Sequence, residues 1–256
     1  MPDTLFAHYP SLAGKVVFVT GGSSGIGADI VTAFALQGAK VAFAGRNAEA
    51  AAQVLARSAA AATQPVFLRC DLADMAALKQ AIDDAVSHFG DVDILINNAA
   101  NDDRHAFLDV TPEYFDQRVA INLKVHFFAA QAVIPGMQRK GAGVVVNLGS
   151  TSWKVKGAGY CAYATCKSAT TGLTRSLARE FGKDRIRVNT LTPGWVMTDR
   201  QLNHWVDEAG EKAMNDNHCL PGRIQGIDIA NMALFLAAED SRMITAQEFI
   251  VDAGWT

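Results

Sequence analysis

Cysteine is scarce in this chain of 256 residues, and the four present, Cys70, Cys161, Cys166 and Cys219, form no C-x-x-C pair and have no histidines at ligand spacing beside them. That argues against a disulfide framework and against a metal site, and it fits a reducing compartment, the cytoplasm. Charge is also sparse. Only 19% of the residues are Asp, Glu, Lys or Arg, the formal net charge at pH 7 is -3, and no basic run is available to track a phosphate backbone, which argues against nucleic acid as a partner. No stretch of about 18 consecutive apolar residues occurs, so no membrane span is expected. The opening MPDTLFAHYPSLAGK lacks both the basic start and the apolar run of a signal peptide. Low-complexity linkers, repeats and charged tails are missing too. What remains is half apolar and near the upper length for one growing core, so residues 1–256 are expected to form one domain.

Along the chain, short β-branched runs alternate with helical patterns. Strands are expected at Lys15–Thr20, Lys40–Gly45, Pro65–Cys70, Val92–Asn97, Gly143–Ser150, Arg185–Leu191 and Gln247–Gly254. Helices are expected over Ile26–Leu36, Ala48–Ala62, Asp74–Phe89 with Asp74 as N-cap, from near Pro112 and again from near Asn122, over Cys161–Phe181, and over Ile227–Ala238. Such alternation predicts an α/β fold, a doubly wound, Rossmann-like parallel sheet of seven strands with helices on both faces. The least patterned stretch, about 196–225, is expected to be a mobile lid.

The first strand runs into T-G-G-S-S-G-I-G, Thr20 to Gly27. Glycines here let the backbone approach a ligand closely, and the free N–H groups at the following helix start suit a pyrophosphate. A glycine loop that follows the first strand of an alternating chain points to a dinucleotide. The second strand ends in Gly45, Arg46 and Asn47, with no carboxylate before Glu49. A ribose 2′-phosphate would meet a guanidinium there and no repulsion, so NADP is expected over NAD, with NAD still usable.

Tyr163 and Lys167 are spaced i, i+4, on one face of the expected helix. An ammonium beside a phenol favours the phenolate and would bring its pKa down from about 10 toward neutrality. Tyr160 has Ala164 at the same spacing and gains no such partner. Ser150 closes the fifth strand, at the end of the sheet where doubly wound folds hold ligands, with Thr151 and Ser152 as neighbouring hydroxyls.

These motifs, with Asp71 after the third strand, Asn97-Asn98-Ala99, Asn122, and Pro193-Gly194 followed by Thr198, resemble the short-chain dehydrogenase/reductase family over essentially the whole chain. In that family the serine lies thirteen residues before the tyrosine, which selects Ser150. The resemblance implies a general acid/base role for Tyr163, substrate orientation by Ser150, a hold on the nicotinamide ribose by Lys167, and a water anchored by Asn122. It places a dinucleotide against Gly21, Ser23, Ser24, Gly25, Ile26 and Gly27, Arg46 and Asn47, Asp71 and Leu72, Asn98 and Ala99, Tyr163 and Lys167, and Pro193, Gly194, Val196 and Thr198. It also implies a homotetramer packed through the long helices from Asn122 and Cys161. One departure is Ala100, where the family usually has glycine.

For the substrate, Asn101, Asp102 and Arg104 after the fourth strand, Ser152 and Trp153 past Ser150, Trp195, and Gln201 in the lid combine polar groups with aromatic surface. Such a lining suits a small polyhydroxylated molecule. Together with the terminal Asp252-Ala253-Gly254-Trp255, these segments resemble the aldose 1-dehydrogenases of the family, which implies oxidation of an anomeric carbon, in D-xylose, L-arabinose, D-galactose or L-fucose types, to the lactone. The alternatives are another short-chain oxidoreductase acting on a polyol, 3-oxoacyl or hydroxysteroid substrate, and a non-catalytic NADP-sensing protein.

Overall fold

In the computed structural model, which describes residues 7–256, the first strand β1 (Val16–Thr20) is buried along its whole length, as a strand covered on both faces must be. The first six residues, part of the N-terminal stretch read against a signal peptide, lie outside the described residues. Six further strands follow: β2 (Lys40–Gly45), β3 (Val66–Arg69), β4 (Ile94–Asn97), β5 (Gly143–Leu148), β6 (Ile186–Pro193) and β7 (Glu248–Val251). All pair in parallel, in the order β3-β2-β1-β4-β5-β6-β7. The order reverses between β1 and β4, and the crevice beyond the carboxyl ends of those strands is where such sheets bind ligands.

The helices are α1 (Gly25–Leu36), α2 (Ala48–Arg57), α3 (Met75–Phe89), α4 (Pro112–Val119), α5 (Val125–Lys140), α6 (Cys161–Phe181), α7 (Asp199–His204), α8 (Glu208–Asn217) and α9 (Gly226–Ala237). One apolar layer joins α1, α2 and α9 to the sheet, and a second joins α3 and α5 to its other face.

Several expectations are corrected. The helix expected to start near Asn122 continues from α4 through a π-helical turn, Ala120–Lys124, that carries Asn122 and merges into α5. A π turn frees a carbonyl from the helical ladder, and the Asn122 side chain takes that of Arg118 at 2.9 Å. The resulting run, Pro112–Lys140, is long and apolar enough by length and composition to cross a bilayer, which the count of consecutive apolar residues did not reveal. Its α5 part packs on β4, β5 and α3 as a core helix does. The second helix ends at Arg57, where the Ser58 hydroxyl bonds back to the Val54 carbonyl at 2.9 Å. The stretch 196–225 contains two short helices, capped by the side chains of Thr198 and Asp207.

A polar row crosses the buried sheet just below its carboxyl edge. Thr20, Asn97, Asn147 and Thr190 stand in register on four adjacent strands, all at most 1% exposed. Asn97 Nδ2 donates to Asn147 Oδ1 (2.9 Å), Asn147 Nδ2 to Thr174 Oγ1 on α6 (2.9 Å), and Thr174 shares a 2.8 Å bond with Thr190. Buried polar groups are tolerated when paired in this way, and the pairing fixes α6 relative to the strands.

Candidate active site

The glycine loop leaves β1 with little space to spare. A Cβ on Gly27 would come within 2.2 Å of the Gly21 carbonyl oxygen, and one on Gly22 within 2.6 Å of the Phe43 Cβ. Gly21 and Gly25 also hold positive φ, which glycine adopts without strain. Asn98 ties the loop to β4 by donating from Nδ2 to the Thr20 and Gly21 carbonyls, both at 3.0 Å, while Thr20 Oγ1 accepts from the Asn98 and Ala99 amides. Ser24 precedes α1 without capping it, so the first-turn N–H groups face the crevice with no side-chain acceptor. Such a backbone cradle fits the pyrophosphate of a dinucleotide. At the end of β2, Ser23 packs beside Gly45, Arg46 is exposed, and Asn47 caps α2 through its side chain. Arg46 forms no ion pair among the described residues. Asp71 is exposed beside buried Leu72, and Thr198 sits over the loop with its methyl 3.2 Å from where a Gly25 Cβ would lie.

Beyond the carboxyl ends of β4, β5 and β6 lies a cavity of about 660 Å³, a size suited to a small molecule. Ser150, Tyr163 and Lys167 line it, together with Ile26 and Asn98 from the dinucleotide side. Ser150 stands two residues past the end of β5, where it opens a short 3-10 turn and accepts from the Ser152 amide at 3.1 Å. Lys167 is 1% exposed, and its Nζ donates to the Leu148 carbonyl at 2.8 Å.

The expected fall of the Tyr163 pKa toward neutrality is corrected. Burial pushes the Tyr163 phenol up to about 12, opposed by its hydrogen bond to Ser150, raised further by Asp102 and Tyr160, and lowered by Arg104. Burial takes Lys167 the other way, down to about 7. The ammonium lies 5.8 Å from the phenol ring centre and is turned to a carbonyl. Removal from water therefore decides both groups and favours the uncharged form of each.

Asn122 is fully buried and grips the backbone of Asn101 at both ends. Its Oδ1 accepts from the Asn101 amide at 2.8 Å and its Nδ2 donates to the Asn101 carbonyl at 3.0 Å. It thus fixes the loop after β4. Asn101 is spent on this contact and on the Asp103 amide, and it does not line the cavity. Trp153 is corrected as well. It lies outside the cavity, 38% exposed, with Lys154 Nζ 4.3 Å above its ring. Asp102, Arg104, Ser152, Trp195 and Gln201 do line the cavity, as does Ala100, whose φ is not positive, so its methyl causes no backbone strain.

Residues beyond the expected site set also shape the cavity. Trp255 reaches the cavity from the C-terminus, where Asp252 accepts from the Gly254 and Thr256 amides and holds the last turn. Tyr160 lines the same space and packs edge-on against Tyr163. His105 Nε2 accepts from the Ala162 amide at 3.3 Å, a side-chain cap on the first turn of α6 and hence on the helix that carries Tyr163. Buried His126 is kept neutral by desolvation and by the charge of Lys167, and its Nε2 lies 3.3 Å from the Ala99 carbonyl.

Residues 21–256 match a family model described as "Enoyl-(Acyl carrier protein) reductase". The chain is 45% identical over 249 residues to D-xylose 1-dehydrogenase of Caulobacter vibrioides, covering 97% of this chain and 98% of that one. It is 42% identical to a Rhizobium meliloti protein named "Probable galactose dehydrogenase GalD", covering 97% of each. A blue fluorescent protein from a metagenomic library, solved in complex with NADPH, superposes with a TM-score of 0.88 at 36% identity, over 96% of this chain and 99% of that one. With the glycine cradle, the seven-stranded parallel sheet and the Ser150, Tyr163, Lys167 cluster, these matches show that the chain belongs to the short-chain dehydrogenase/reductase family.

Proposed function

We propose that this protein is a sugar 1-dehydrogenase that oxidises the anomeric carbon of a small cyclic aldose to the lactone, with NADP preferred as hydride acceptor. The observation that carries the reading is the cavity itself. Tyr163, Ser150 and Lys167 line it, and the rest of the lining sets the Trp195 and Trp255 indoles and the polar side chains of Ser152, Tyr160 and Asn217 beside aliphatic groups such as Ile26, Leu148 and Val155. Hydroxyl-rich ligands need polar partners, and the hydroxyls of Ser150, Ser152 and Tyr160 line this space. The 45% identity to a D-xylose 1-dehydrogenase supports the same substrate class.

A bound nicotinamide dinucleotide would be held by the loop Gly21 to Gly27, Asn98 and Lys167, and it would supply the hydride acceptor. Ser150 donates a hydrogen bond to the anomeric oxygen and orients it. Tyr163, as phenolate, takes the anomeric hydroxyl proton as the C1 hydrogen departs with its electron pair. Lys167 lines the cavity beside Tyr163, with its Nζ held by the Leu148 carbonyl. Asn122 keeps the wall loop in place. A panel of aldoses assayed with NADP, read by absorbance of the reduced cofactor, tests the substrate class. Turnover of polyols or acyl substrates with no aldose oxidised would sink it, and tight NADP binding with no turnover at all would favour a sensor.

Cofactor preference rests on Arg46. Arg46→Asp is expected to lower kcat/KM with NADP about ten- to a hundredfold, the loss of one charge-assisted hydrogen bond plus repulsion, and to raise it with NAD. A wild-type enzyme that already prefers NAD would contradict the assignment. A cytoplasmic homotetramer is part of the same proposal. The four free cysteines support the compartment, and the exposed Phe115 and Phe127 on the α4–α5 run support association.

A further inference from the structure

Asp102 and Arg200 meet across the mouth of the cavity, one from the loop after β4 and the other from α7. Arg200 Nε donates to Asp102 Oδ1 at 2.9 Å, and its Nη2 reaches Asp103, which also takes Arg118 Nη1 at 3.0 Å. Gln201 makes a second link: its Nε2 donates to Asp102 Oδ2 at 2.8 Å, and its Oε1 accepts from Trp195 Nε1 at 3.0 Å. A third link is aromatic, with the Arg104 guanidinium 4.2 Å from the Tyr160 ring centre and 4.9 Å from that of Trp205, just past α7. Three contacts of different chemistry thus join α7 to one loop. That loop is itself fixed from below by Asn122.

We propose that Asp102 and Arg200 are positioning residues, a latch that seats α7 on the loop after β4, holds Trp195 against the substrate, and partly screens Tyr163 from the Asp102 carboxylate. Both oxygens of Asp102 are committed to α7, so in this arrangement its part is to fix the wall and not to grip a sugar hydroxyl.

The charges around the two groups define the coupling. Tyr163 is faced by Ser150 from the loop after β5, by Tyr160 and Lys167 from its own helix, and by Asp102 and Arg104 from the loop after β4. Asp102 is faced by Arg200 and Gln201 from α7 and adjoins Asp103 and Arg104. With Arg200 seated, the Asp102 charge is partly compensated, though it still raises the Tyr163 phenol. With Arg200 withdrawn, a bare carboxylate opposes formation of the Tyr163 phenolate. Closing α7 therefore assembles the wall and favours the base form in one movement.

The proposal rests on the aldose reading for its kinetic arm. Asp102→Asn and Arg200→Met each remove the ion pair, and each is expected to raise the sugar KM about tenfold, the equivalent of one charge-assisted bond. Their pH profiles of kcat should part: the rising limb moves to lower pH in Asp102→Asn, where the anion is gone, and to higher pH in Arg200→Met, where it is uncompensated. Gln201→Leu, which leaves all charges in place, should raise KM without moving the limb. A purely structural role shifts both charge variants alike or neither, and either result overturns the proposal. Hydrogen exchange over residues 199–205, measured with NADP added and no sugar, should quicken in both charge variants. Unchanged exchange there would also overturn the latch. This arm needs no turnover, so a failed aldose panel counts against the function and leaves the latch tested separately.

Discussion

Tyr163→Phe is expected to lower kcat by about a thousandfold while changing dinucleotide affinity by less than about threefold. The substitution removes one oxygen and keeps the ring that packs edge-on against Tyr160, 6.3 Å between centroids. Packing around Tyr163 is therefore preserved, and the lost function is proton transfer alone. Tyr160 is the matched control. It lines the same cavity, and burial raises its phenol too, but its ring carries Arg104 on one face. Tyr160→Phe keeps that stacking and should leave kcat within a few-fold of wild type. The measurement is steady-state kinetics on both variants with fluorescence titration of the dinucleotide. Near-normal kcat in Tyr163→Phe would move the proton transfer elsewhere. Because burial pushes the phenol up to about 12, oxidation should also speed up with rising pH through the neutral range, as the phenolate fraction grows.

The contrast between those two tyrosines shows what the sequence could and could not convey. The succession of strands and helices along the chain, the glycine cradle and the Ser150, Tyr163, Lys167 set follow from local signals. β-branched runs make strands, glycines mark close backbone approach, and i, i+4 spacing places two side chains on one helix face. The cavity walls have no such periodicity. Trp153 reads like Trp195, each an indole just past a strand, yet a 3-10 turn carries the first outward and Gln201 holds the second inward. Asp102 looks like a substrate ligand until Arg200 and Gln201, about a hundred residues later in the chain, occupy both of its oxygens. His105 and Asn122 act on backbone groups far away in sequence, and no local pattern reports a partner at that distance. The direction of the Tyr163 shift failed for a related reason. Spacing gives proximity along a helix, but burial is a property of the whole fold.

That burial makes Lys167 the second decisive test. Lys167→Met is expected to abolish most oxidation and yet to raise thermal stability at neutral and mildly acidic pH. The side chain is 1% exposed and its pKa falls from 10.5 to about 7, with desolvation the main cause. Between those values the unfolded chain holds a proton that the native state lacks, so this group's contribution to stability rises with pH across that window. Below about pH 7 the native state must bury an ammonium, and the full penalty, of the order of several kcal/mol, applies. Methionine fills a similar volume without the charge. Against that gain stands the Leu148 carbonyl, which loses its 2.8 Å donor at a cost of about 1–3 kcal/mol. The net should appear as a Tm roughly 5 °C or more above wild type at and below pH 7, since about 1 kcal/mol shifts a domain of this size by about 2–4 °C. The gap should then shrink as pH climbs past 10.5, above which the wild-type amine is neutral in both states. Thermal unfolding of both proteins across pH decides it. A variant less stable at all pH values, or a gap independent of pH, would mean that the amine is solvated in the native protein. A stabilised but inactive variant would show that the fold retains this lysine at a loss of stability because the chemistry in the cavity requires its amine.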